Sequence, residues 1–100
     1  GTTFPLSPIT STLNPVLGEL AVWPNPVTDV LTLTSQAGAD TRVTMTLMDM
    51  LGRPIQSQNL IVGPAAGVQQ MDVRSLQTGI YYLQLQPEGG APSTLTVIKQ

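Results

Sequence analysis

Cysteine and histidine are both absent from this sequence. Their absence removes disulfides, thiolate nucleophiles and the imidazole base on which Ser-His and Cys-His catalysis depends. Zinc loses its usual soft ligands for the same reason. Charge is scarce too: four Lys or Arg and six Asp or Glu make up 10% of the 100 residues, with a net charge of −2, where about 25% charged is ordinary. The cations Arg42, Arg53, Arg74 and Lys99 are scattered. No basic patch can neutralise phosphates, so nucleic acid is not an expected partner. Apolar runs stop at three or four residues, as at 60–62, so no membrane insertion is expected. The amino end shows neither the basic segment nor the apolar stretch of a signal peptide.

Other chemistries fall in turn. No Asp-x-Asp-x-Asp-Gly loop is present for calcium, and Gly89-Gly90 is not followed by the helix a phosphate loop requires. The acids Glu19, Asp29, Asp40, Asp49, Asp72 and Glu88 each sit near a predicted strand end or turn, where caps and solvated charges are the simplest reading. No catalytic residue, metal or cofactor is expected, and the chain does not read as an enzyme.

What is present is an apolar share of 41%, enough for a real core in a single domain of this length. Residues 1–18 carry Pro5, Pro8 and Pro15 among Ser and Thr without any charge. They read as an extended linker, an added strand or an upstream tail being the alternatives. Fully extended, it would reach about 60 Å. Residues 19–100 read as the folded domain.

The period there is two. Strands are predicted at 19–23, 29–35, 41–50, 53–62, 67–73, 79–86 and 93–99. Leu31 and Leu33 share a face, as do Val43, Met45 and Leu47, Met71 and Val73, Tyr81, Leu83 and Leu85, and Leu95 and Val97. Helical spacing persists nowhere. About seven short strands, spaced by roughly 8–12 residues, indicate an all-β sandwich. An immunoglobulin-like or fibronectin-like arrangement of antiparallel strands fits best.

The connections have their own chemistry. Pro24 and Pro26 bracket Asn25 and cannot donate ladder hydrogen bonds. They should end the first strand and keep the preceding linker from adding to it. In Asp49-Met50-Leu51-Gly52, Asp opens a type I turn by accepting backbone N–H bonds, and Gly52 takes the positive φ that sets hairpin twist. Arg53 follows as a solvated turn charge. Arg74 to Gly79 forms a corner in which Leu76 plugs the sandwich end before a strand bearing Tyr81. Trp23 reads as core or lid; a sugar-stacking role is the alternative.

Taken together and in order, "VWPNPVTDVLTL", "VTMTLMDMLGRPI", "MDVRSLQTGIYYLQLQ" and "TLTVIKQ" resemble the type A C-terminal sorting domain of the type IX secretion system. The likeness covers Leu20 to Gln100. It departs where Trp23 stands in place of a commoner tyrosine and where Pro54 follows Gly-Arg. The resemblance implies a folded secretion signal at the end of a covalently linked cargo. An outer-membrane translocon would recognise it in the periplasm, and a sortase-like cysteine protease would cut it in the linker. Cargo would finish at the cell surface or outside the cell. Carried over by position, translocon recognition falls on Trp23, Pro24, Asn25, Pro26, Asp49, Gly52, Arg53, Leu76, Gly79, Tyr81, Val97, Ile98, Lys99 and Gln100. The last strand is expected to end freely, its edge or carboxylate open to a receptor, in a monomer. The competing expectations are a non-catalytic accessory module of fibronectin or carbohydrate-binding type, and an inert spacer.

Overall fold

Strict alternation along each strand assembles two layers. Leu20 and Val22, Leu31 and Leu33, and Met71 line the inner face of one sheet. Val43, Met45 and Leu47, Tyr81, Leu83 and Leu85, and Leu95 and Val97 line the other. The computed structural model describes residues 9–100. It contains eight strands: β1 Thr10–Asn14, β2 Gly18–Trp23, β3 Val30–Ser35, β4 Thr41–Met48, β5 Pro54–Val62, β6 Gln69–Asp72, β7 Gly79–Pro87 and β8 Ser93–Lys99. The first sheet has the order β1-β2-β3-β6 and the second β5-β4-β7-β8. Every strand pairing within the sheets is antiparallel. The expected immunoglobulin-like sandwich is the fold, and all the strands predicted from the sequence are present.

The eighth strand is a correction. The linker expected over residues 1–18 gives way, from Thr10 onward, to β1, which pairs with β2 from Thr10↔Val22 to Asn14↔Gly18. Residues 1–8 lie outside the described residues. The prolines were expected to prevent this zipping, and they do not. Pro24 and Pro26 stand beyond the last paired residue of β2, so they remove no donor that β1 needs.

Asn14 anchors the added strand. It is buried, at 3% exposure, and its Oδ1 accepts from the Val16 and Leu17 amides at 2.9 and 3.0 Å, turning the chain into β2. Its Nδ2 donates to Ala91 O at 3.0 Å and Ser93 Oγ at 2.8 Å, which ties the first sheet to the start of β8. Leu17, fully buried, belongs to the core that this turn closes.

Candidate recognition site

The hairpin between β4 and β5 is organised by one carboxylate. Asp49 Oδ1 accepts from the amides of Leu51 at 2.8 Å and Arg53 at 3.0 Å, while Oδ2 takes the Arg53 Nε–H at 2.8 Å. Gly52 donates its amide to Asp49 O at 3.0 Å and has φ of 80°, which L side chains rarely adopt. These hydrogen bonds, led by the Arg53 amide, hold the Asp49 carboxyl below the usual carboxylate range. The result is a rigid loop whose tip presents Met50 and Leu51 to solvent, at 65% and 78% exposure.

The corner before β7 is equally specific. Tyr81 is buried, and its hydroxyl donates to Gln77 O at 2.7 Å, back across the turn. That is the tyrosine corner of immunoglobulin-like sandwiches. Leu76, its amide bonded to Val73 O, packs against the core as the expected plug. The hairpin meets this corner: a shallow depression of about 240 Å³ lies between Asp49, Leu51 and Arg53 on one side and Thr78, Gly79 and Ile80 on the other.

The Pro-Asn-Pro segment finds its role on the edge of β8. Asn25 Nδ2 donates to Thr96 O at 2.8 Å, and Asn25 Oδ1 accepts from Ile98 N at 2.8 Å. The side-chain amide thus substitutes for a backbone peptide of a neighbouring strand. Val27 continues the pairing: its N–H donates to Ile98 O and its C=O accepts from Gln100 N, both at 2.8 Å. Asn25 Nδ2 also donates to Thr10 Oγ1 at 2.6 Å, so one residue joins β1, the proline segment and β8. The freely ending terminal strand expected from the sequence is therefore overturned: Asn25 and Val27 occupy the edge of its last residues.

Within the tail, Val97 and Lys99 face inward and are buried, at 0% and 7% exposure, while Ile98 lies on the outer face. The Lys99 ammonium donates to the Gln100 backbone oxygen at 3.0 Å. Ile98 stands beside Ile80, and the next row along the same outer face is Met48, Tyr82 and Thr96. This gives an apolar outer strip beside the Met50-Leu51 tip, which the sequence reading missed. Exposed apolar residues at alternating positions were its only signal.

The residues singled out from the sequence, spread from Trp23 to Gln100, thus converge on one end of the sandwich. Trp23 is the partial exception. Inward positions on β2 are Leu20 and Val22, so Trp23 lies half-buried on the outer face of the first sheet, next to Thr32, and not in the core. Tyr82 is on the outer face of the opposite sheet, and Tyr81 is committed to its corner. The described aromatics form no common sugar-stacking platform. A wider groove of about 510 Å³, at the far end near Arg42, Asn59 and Glu88, includes none of the singled-out residues.

Comparison with known families decides what the chain belongs to. A model described as the secretion system C-terminal sorting domain matches residues 21–100. The chain belongs to that family, the sorting domains of type IX secretion. Such a sorting domain is a secretion signal: it engages the secretion machinery and directs export toward the outer membrane or cell surface. A search of curated proteins found no match. Among solved structures, the sorting domain is similar to a DUF3244 family protein with an immunoglobulin-like β-sandwich fold from Bacteroides vulgatus. Identity is 14% and the TM-score 0.65, over 92% of this chain and 94% of that one. At that identity the likeness shows the fold alone. The family match is to a sorting signal, which suggests a non-catalytic module.

Proposed function

We propose that the type IX translocon recognises the end of the sandwich built from the Asp49–Arg53 hairpin, the Tyr81 corner and the outer strip of Ile80, Tyr82 and Ile98. The observation that carries this reading is convergence: segments 23–26, 49–53, 76–81 and 97–100 meet in space only in the folded domain. The signal is a shape. Leu76, Gly79, Tyr81, Val97 and Lys99 hold that shape from within or below, whereas Leu51, Arg53, Ile80 and Ile98 are the surfaces a receptor meets. Apolar rims around a single guanidinium suit a receptor surface that is itself apolar with a carboxylate to pair Arg53.

The cargo lies upstream and, on this reading, is separated by a sortase-like cysteine protease. A protease needs an extended chain with free backbone groups. Thr10–Asn14 is paired into the sheet, so the cut falls before Thr10. The domain passes through the periplasm and leaves its cargo at the cell surface or outside.

Residues 1–100 fused behind a periplasmic reporter in a type IX-competent host test both points. Surface delivery should require the translocon, and the amino terminus of the released domain should lie upstream of Thr10. The exposed pair Leu51→Glu and Ile80→Glu, neither side chain holding a hydrogen bond, should abolish delivery with an unchanged melting temperature. Leu83→Ala, at a fully buried position, should lose delivery differently, by destabilising the fold by about 2–5 kcal/mol. Normal delivery of the Glu pair would show that the machinery reads another surface.

A further inference from the structure

Among the described residues the sandwich has four strand edges, and three are guarded. The β1 and β8 edges lie against each other, stitched by Asn14 to Ala91 and Ser93 and by Asn25 to Thr10, Thr96 and Ile98. β6 is only four residues long and runs into the Asp72–Arg74 ion pair. β5 is the contrast. It spans nine residues, reads PIQSQNLIV without a single charge, and is exposed along most of its length.

Its outward groups can be read from the ladder. β5 pairs with β4 in unbroken register from Thr41↔Val62 to Leu47↔Gln56. The Ile61 carbonyl points away from β4, because it accepts the Gln69 Nε2–H from the other sheet at 3.0 Å. Antiparallel alternation then turns the backbone N–H and C=O of Asn59 and Ser57 the same way, toward solvent. The side chains of these two residues are already occupied on the outer face, Asn59 by Thr44 Oγ1 at 3.0 Å and Ser57 by Thr46 Oγ at 3.2 Å. Among the described residues no Lys, inward charge or covering loop blunts the Ser57–Asn59 stretch of this edge; Pro54 and the bulge at Leu47/Met48 touch only its first residues, and Gln69 caps only the Ile61 carbonyl near its end.

We propose that β5 is a self-association edge, on which a second copy of this chain pairs β5 to β5 in antiparallel fashion about a two-fold axis at Gln58. The strand is self-complementary under that operation. Ser57 faces Asn59 of the other copy, and the outward N–H and C=O groups of both residues are satisfied in pairs. No like charges meet. Two four-stranded sheets become one continuous sheet of both copies. This departs from the monomer expected from the sequence, and it is independent of which surface the translocon reads.

Sedimentation equilibrium of the full chain from about 10 µM to about 1 mM, where micromolar-to-millimolar dissociation constants register, tests it. The average mass should rise reversibly from 10.6 kDa toward the dimer. The double substitution Ser57→Lys, Asn59→Lys should weaken association at least about tenfold, with the melting temperature monitored to confirm folding. As a control, Thr94→Lys and Thr96→Lys on β8 should leave association unchanged. A chain that stays monomeric throughout overturns the proposal. So does a dimer indifferent to the β5 lysines, or one broken instead by those on β8.

Discussion

Single residues do unequal work in this domain, and asparagine does more than composition suggests. Asn25 presents both halves of its carboxamide to backbone groups of β8, and Asn14 divides its own between the Ala91 carbonyl before β8 and the Val16 and Leu17 amides of its own turn. Their type was legible: an Asn before a proline is a common turn former. Their partners more than 70 residues away in sequence were not. Replacing Asn25 with Ala removes the bonds to Thr10, Thr96 and Ile98. At a net worth of about 0.5–1.5 kcal/mol each, with water able to replace part of the loss, destabilisation should be about 1–3 kcal/mol by urea unfolding. The Ile98 amide should lose hydrogen-exchange protection selectively. Asn25→Asp should also be destabilised, because a carboxylate cannot donate to Thr96 O, but it should keep more of the Ile98 protection, because its oxygen still accepts from Ile98 N. If either variant matched the parent in both measurements, the Asn25 bridge would be ornamental.

At the scale of elements, periodicity succeeded wherever one face of a strand had to be buried. The alternation over β4, β7 and β8 gave the right inward residues because the partner sheet shields only one side. It failed at β1, where Thr10-Ser11-Thr12-Leu13 offers no apolar alternation and Leu13 points to solvent at 78% exposure. That strand is held by backbone pairing and by Asn14, and neither leaves a hydrophobic signature. Truncation through Asn14 would strip the β2 edge and leave Ala91 and Ser93 without their partner. The expected cost is about 2–5 kcal/mol out of a typical total of about 5–15, read as a lower denaturation midpoint. An unchanged midpoint would show that β1 rests on the fold without supporting it.

For the molecule as a whole, the shortage of ionisable groups predicts its response to pH. Asp72 is lowered to about 2, chiefly by the Arg74 guanidinium fork and then by the Arg74 amide. Asp49 is lowered in the same direction by the Arg53 amide and guanidinium. A folded pKa below the unfolded value of about 3.9 gives stability that is fully present above that value and lost as pH falls toward the folded pKa. With no histidine in the sequence, melting temperature should be flat from about pH 5 to 8 and decline below about pH 4. Both carboxylates are solvent-facing, so the decline should be shallow. Asp72→Asn should flatten it further. A steep transition near neutral pH would point to a titrating group outside this description.

The sequence by itself determined the sandwich class, the inward residues of the strands it revealed, the Asp49 and Tyr81 turns and the family, because each depends on residues close together in the chain. Tertiary structure decided the rest. It placed β1 in the sheet, closed the β8 edge with Asn25 and Val27, moved Trp23 to an outer face and gathered the recognition segments at one end. Those outcomes depend on which backbone groups two distant strands leave unpaired, and the cost of leaving a polar group unsatisfied is settled only when the sheets meet.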